Sequence, residues 1–262
     1  MRLECRHISK IFGEGKKATR TLDDICFETR EGEFLSVLGP SGCGKSTLLR
    51  IIAGLLEPTG GEVIYSGNNP AGPLNALVFQ EHGIFPWMNV LDNVAFGLEM
   101  RGVPRKERYD QSLDFLKRVG LAQYATRNPH ELSVGMRQRI AIARAFVHNP
   151  AILLMDEPFG ALDAQTRLIL QDELLKIWSD HKKTVIFVTH DIDEAILLGD
   201  RVLLMTSVPG RIKEVIPVGI GRPRDLRMEN TQEFLTLKMR IWESIRSEVE
   251  KSMMGDNDER EY

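Results

Sequence analysis

The stretch "FLSVLGPSGCGKSTLLRII" (34–52) runs from a short apolar segment through a glycine-rich loop into a helix-forming segment. Its centre, "GPSGCGKST" (39–47), fits G-x-x-x-x-G-K-[ST]. In that pattern the glycines free backbone N–H groups to form an anion-binding nest, and the following helix adds the positive end of its dipole. The lysine, Lys45, neutralises β- and γ-phosphates, and the Ser46 hydroxyl ligates Mg²⁺. Gly39, Pro40, Ser41, Gly42, Cys43, Gly44, Lys45, Ser46 and Thr47 are therefore candidates to hold a nucleoside triphosphate. Cys43 lies at the helix start near Lys45, a setting that favours thiolate and reactivity unless packing shields the sulfur.

A strand–loop–helix unit of this kind needs a buried sheet around it, and the rest of the chain supplies one. "LECRHISKIF" and "LDDICFETR" alternate enough to predict strands near the start. Glu62–Tyr65, "LNALVFQ", "AILLMDEP", "TVIFVTHD", "RVLLM" and "RIKEVIPV" read as further strands. Between about 82 and 150 the texture is helical, and "AQTRLILQDELLKIWSD" predicts another helix. In "TQEFLTLKMRIWESIRSEVEKSM", Leu237, Ile241 and Ile245 recur every fourth residue and predict a C-terminal amphipathic helix. The alternation implies an α/β fold with a helical insertion.

A second chemical motif ends the strand "ILLMDEP". Two adjacent carboxylates after four apolar residues suit Asp156 to hold Mg²⁺ and Glu157, pointing elsewhere, to polarise an attacking water. A third stretch, "HELSVGMRQRIAIARAF" (130–146), places Ser133 as the cap of an amphipathic helix and Gly135 where backbone can approach a ligand.

Composition narrows the choice of partners. Thirty-four basic against 37 acidic residues leave a net charge of −3, unlike the basic excess of a general nucleic-acid binder. Three widely spaced cysteines, with no CxxC, argue against a disulfide framework or a zinc site. No signal peptide or membrane span is legible, so the expectation is a cytosolic protein that reaches a membrane through partners.

Taken together, these motifs resemble those of an ATP-binding cassette ATPase of the transporter type, over almost the whole chain. "GPSGCGKS" looks like its Walker A motif and "ILLMDE" like its Walker B motif. Gln80 matches its glutamine loop, "LSVGMRQR" its signature sequence, "GALD" its D-loop and His190 in "FVTHD" its switch histidine.

The resemblance implies a P-loop NTPase, RecA-like core with a mainly parallel sheet (1–81 and 151–222). It also implies an N-terminal antiparallel β part, a helical subdomain (82–150), and a C-terminal helix with an acidic tail (223–262). It implies that Phe12 stacks on adenine and that Gln80 contacts Mg²⁺ or the attacking water. His190 would bond the γ-phosphate, with Lys45 and Glu157 as its catalytic companions, and Asp163 would bridge to an opposing subunit. ATP would lie between one subunit's phosphate loop and Ser133 and Gly135 of its partner, in a homodimer with two composite sites.

The segments "EHGIFPWMNVLDNVAFGLEMRGVP" and "EPFGALDAQTRLILQDELLKIW" are similar to importer ATPases of the nitrate, sulfonate and taurine group, as is Met136 in the signature. The usual glycine at position 134 is a valine, which requires negative φ there. The expected partners are a transmembrane permease and, indirectly, an extracytoplasmic binding protein, with the chain at the cytoplasmic face of the membrane. A DNA-repair or chromosome-structure ATPase is the alternative. Its long coiled-coil interruption is missing between Gln80 and Ser133, and the acidic balance argues against nucleic acid. A two-cassette soluble factor would need a second phosphate loop, and a small-molecule kinase would not explain the signature.

Overall fold

The computed structural model describes residues 1–67, 72–80 and 83–258, with backbone only for Lys16 and residues 251–258. Position 82, where the helical insertion was expected to begin, and the last four residues of the acidic tail lie outside the described residues. In chain order the elements are β1 (Arg2–Phe12), β2 (Thr19–Glu28), β3 (Phe34–Leu38), α1 (Lys45–Ile52), β4 (Gly60–Ser66), β5 (Asn75–Val78), α2 (Val90–Met100) and α3 (Arg105–Arg118). Then come α4 (Val134–Val147), β6 (Ile152–Asp156), α5 (Ala164–His181), β7 (Thr184–Thr189), α6 (Ile192–Leu198), β8 (Arg201–Met205), β9 (Ile212–Pro217) and α7 (Gln232–Asp258). They fall into two compact units, Met1–Asn68 with Thr184–Tyr262, and Asn69–Lys183.

In the first unit, β3 lies between β7 and β8 and is parallel to both, while β9 runs antiparallel to β8. All five residues of β3 and all six of β7 are buried, which is why each reads as a nearly unbroken apolar run rather than an alternation. A separate antiparallel sheet has the order β2-β1-β4. Its inward residues Leu3, Cys5 and Ile8 on β1, and Leu22 and Ile25 on β2, break the two-residue period, and bulges at both places explain the break. Helix α1 stops at Ile52, short of the apolar "AGLL" that follows, because Gly54 turns left-handed at φ 72° and Leu55 N–H closes back on Arg50 O at 2.9 Å. Helix α7 buries Phe234, Ile241 and Ile245.

In the second unit, β5 and β6 pair in parallel, and β6 is buried throughout. Asn93 of α2 is fully buried and holds the preceding loop. Its Nδ2 donates to the carbonyls of Phe85, Met88 and Asn89 at 3.0 Å, and its Oδ1 accepts from Phe85 N at 2.7 Å. A buried amide with its hydrogen-bonding capacity filled fixes a loop more firmly than apolar contact alone.

Candidate functional site

In the first unit, β3 delivers the phosphate loop from its C-terminal end. Gly44, the cap of α1, has φ 101°, and a Cβ there would stand 2.7 Å from Leu22 Cδ2, so the position needs glycine on both counts. The Lys45 ammonium is buried and folds back over the loop, donating to the carbonyls of Gly39 at 2.8 Å and Pro40 at 3.0 Å. Ser46 and Thr47 are half-buried at the start of α1, and Ser41 and Gly42 are exposed. Cys43 is only 1 % exposed, so packing shields the thiol and the reactivity that its helix-start position favours is blocked.

Phe12 ends β1 with 43 % of its surface exposed and the Lys10 ammonium 5.2 Å from its ring centroid. It is therefore an exposed aromatic rather than a core residue. His190 is exposed immediately after β7, on a turn fixed from both sides. Thr189 Oγ1 donates to Glu194 Oε2 at 2.6 Å and accepts from Asp191 N at 3.0 Å. Asp191 in turn caps α6, accepting from the N–H groups of Asp193 and Glu194. This cap, with Glu three residues after Asp, was the available sequence signal for α6.

In the second unit, β6 ends in Asp156, which is 3 % exposed. Glu157 then adopts φ 43°, a left-handed conformation that costs a non-glycine residue about 1–3 kcal/mol and turns its side chain out of the strand's alternation. The Gly160 N–H donates to Glu157 O at 3.1 Å. Gln80 belongs to the same neighbourhood: Glu157 Oε2 and Gln80 Nε2 lie 3.8 and 3.9 Å from where a Cβ on Gly160 would be.

The signature stretch and the D-loop form a second corner of this unit. Ser133 caps α4, its hydroxyl accepting from Met136 N at 3.3 Å, and Val134 is the first helical residue, 36 % exposed. The helical φ there suits a β-branched residue, and the side chain meets solvent. Asp163 caps α5, accepting from Thr166 N at 3.0 Å; the hydrogen bonds from Thr166 hold its carboxyl below the usual range.

A groove of about 370 Å³ opens beside α2 and α4, its apolar lining including Phe79, Phe85, Phe96 and Met100. Phe85 packs edge-on to Phe96 at 4.7 Å, and Trp87, 5.3 Å from Phe85, is 74 % exposed. The Arg144 guanidinium sits 5.2 Å from the Phe85 ring and donates to Gly83 O at 2.8 Å. Arg144 and Ala141 join this groove from α4, opposite the aromatic residues that precede and lie on α2.

The ABC transporter family matches residues 22–160. The chain belongs to the ABC transporter family. This cassette is 50 % identical over 255 residues to an uncharacterized ABC transporter ATP-binding protein of Methanocaldococcus jannaschii, covering 97 % of this chain and 94 % of that one. It is 44 % identical over 244 residues to an aliphatic sulfonates import ATP-binding protein of Bacillus licheniformis, covering 92 % and 93 %. Its structure is similar to an ATP-binding cassette solved as a dimer in a post-hydrolysis state with ADP and Pi (TM-score 0.71, 33 % identity, 84 % of this chain and all of that one). The cassette is thus an ATP-binding α/β P-loop ATPase. Among the described residues, no helix is long and apolar enough to cross a membrane.

Proposed function

We propose that this cassette drives import of a small solute, nitrate, a sulfonate, taurine or a related compound, through a separate permease, as a homodimer at the cytoplasmic face of the membrane. The groove beside α2 and α4 carries this reading. An exposed tryptophan beside an aromatic floor, with a cation at its edge, suits a short amphipathic helix of a partner. The sulfonate-import relatives support the solute class.

In this proposal Phe12 stacks on adenine, and the phosphate loop with Lys45 holds the β- and γ-phosphates. Ser46, Gln80 and Asp156 are oxygen donors, the chemistry that suits Mg²⁺. When bound, Mg²⁺ neutralises phosphate charge. Glu157 takes the proton of the attacking water, and His190 bonds the γ-phosphate. Ser133 and Gly135 serve the neighbour's nucleotide, and Asp163 bridges to that neighbour.

The test is reconstitution with a sulfonate-type importer permease and its binding protein. ATPase activity should rise when the matching binding protein carries an alkanesulfonate, and Trp87→Arg should remove the rise while leaving basal hydrolysis. Stimulation by nitrate or taurine alone would single out that solute, and no response to any of the three would overturn the solute class. Stimulation by DNA with no permease response would replace the reading with that of a repair ATPase.

A further inference from the structure

The sheet β2-β1-β4 carries a cluster that nucleotide hydrolysis does not use. His7 Nδ1 lies 2.6 Å from Asp24 Oδ1, Cys26 Sγ lies 3.4 Å from His7 Nδ1, and the same sulfur lies 3.8 Å from Asp24 Oδ1. It is the one group of three metal-ligating side chains brought together among the described residues.

Two bulges build it. Between the pairs Cys5↔Phe27 and Ile8↔Ile25, two residues of β1, Arg6 and His7, face the single residue Cys26. Between Ile8↔Ile25 and Lys10↔Leu22, two residues of β2, Asp23 and Asp24, face the single residue Ser9. His7 and Asp24 are the left-handed members, at φ 50° and 56°. The extra residue in each strand swings its side chain to the solvent face, where it meets Cys26. Across β4, Gly61 makes room: a Cβ there would stand 2.3 Å from the carbonyl oxygens of Arg6 and His7. The His7 N–H donates to Cys26 Sγ at 3.2 Å, which orients the sulfur.

We infer that His7, Asp24 and Cys26 form a three-ligand site for a borderline divalent cation of the Zn²⁺ type, with solvent completing the coordination. A tetrahedral ion with ordinary Zn–N, Zn–O and Zn–S bonds sets its ligand atoms about 3.4–3.6 Å apart. Two of the three separations are already close to that. The third opens by about 0.8 Å, as the ion replaces the proton between Nδ1 and Oδ1. The His7 and Asp24 side chains, 78 % and 67 % exposed, are free to make that movement. Binding releases the Cys26 thiol proton to solvent, and the proton displaced from Nδ1 is relocated through solvent to Nε2, leaving a neutral imidazole that ligates through Nδ1. One thiolate and one imidazole favour such an ion over Mg²⁺, so the site does not compete for the metal of the nucleotide.

The test uses the full chain, reduced and freed of metal with a chelator, titrated with Co²⁺ in excess Mg²⁺. One Co²⁺ per chain should bind with a thiolate-to-cobalt charge-transfer band, and Zn²⁺ should displace it. Cys26→Ser should abolish the band. His7→Asn and Asp24→Asn, which keep a residue type tolerant of left-handed φ, should weaken binding at least tenfold while far-UV circular dichroism and ATPase activity hold. A wild-type chain that shows no such band overturns the site, and so does a band that survives in Cys26→Ser.

Discussion

Gly135 of α4 lies against Thr166 of α5, so close that a Cβ on the glycine would stand 2.8 Å from Thr166 Cγ2. The contact ties the signature stretch to the helix that Asp163 caps. Gly135→Ala should therefore press the two helix starts apart, lowering stability by about 1–3 kcal/mol as overpacking does and slowing hydrolysis. Thr166→Ser, which removes the obstructing methyl and keeps the hydroxyl, should restore most of both. Urea unfolding and steady-state ATPase assays of the single and double variants measure this, and a double variant no better than Gly135→Ala would locate the damage elsewhere.

Glu157 is held left-handed after a buried strand, so the extended backbone ends at Asp156. As the base, its replacement in Glu157→Gln should leave ATP binding intact and slow hydrolysis by orders of magnitude. Retained ATP should then hold two cassettes together, because a ligand bound to the closed dimer alone stabilises it. Sedimentation with MgATP reads this directly. Full activity would remove Glu157 from the mechanism, and an inactive monomer would count against the dimer.

Ser133 caps α4 within one subunit and is proposed to serve the nucleotide of another. Ser133→Arg should abolish cooperative hydrolysis while leaving nucleotide affinity of the isolated subunit unchanged. Fluorescent-nucleotide titration separates the two effects. A loss of monomer affinity would mean that the serine acts in its own subunit.

The three cysteines differ in access: Cys26 is exposed, and Cys5 and Cys43 are buried. Burial also raises the Cys5 thiol far above its ordinary value. In the metal-free native chain one thiol should react with maleimide, three after denaturation, and ATPase activity should survive native labelling. Mass spectrometry of the labelled peptides decides. Rapid labelling of Cys43 would show that the phosphate loop opens far more than its packing implies.

The parts legible in the sequence were those written by local rules. The phosphate loop, the strand before Asp156 and the cap Ser133 each follow from a short pattern whose physics is complete within a few residues. What stayed hidden depends on chain segments meeting. The groove needs Arg144 from α4 against Phe85 before α2, two residues far apart in the chain. His7, Asp24 and Cys26 converge because two bulges break the two-residue period that sequence reading relies on. Cys43 showed the reverse limit: its motif suggested reactivity, and packing decided against it.

His148 and His181 make the helical unit sensitive to acid. Burial, reinforced by Arg101, holds His148 below its ordinary value of 6.5, and burial, reinforced by Arg118, does the same for His181. His148 Nδ1 is buried with no hydrogen-bond partner among the described residues, so a proton there gains nothing from the fold. A histidine whose folded value is depressed binds protons more readily when unfolded. Its contribution to stability is thus present above the unfolded value and is lost as pH falls through and below it. Glu173, raised by burial, acts in the opposite sense, so the comparison must be made between variants rather than between pH values alone. Urea midpoints should fall between about pH 7.5 and 5.5 for the wild type and fall less for His148→Gln with His181→Gln. Equal losses in the two proteins would show that these histidines are not the source of the acid sensitivity.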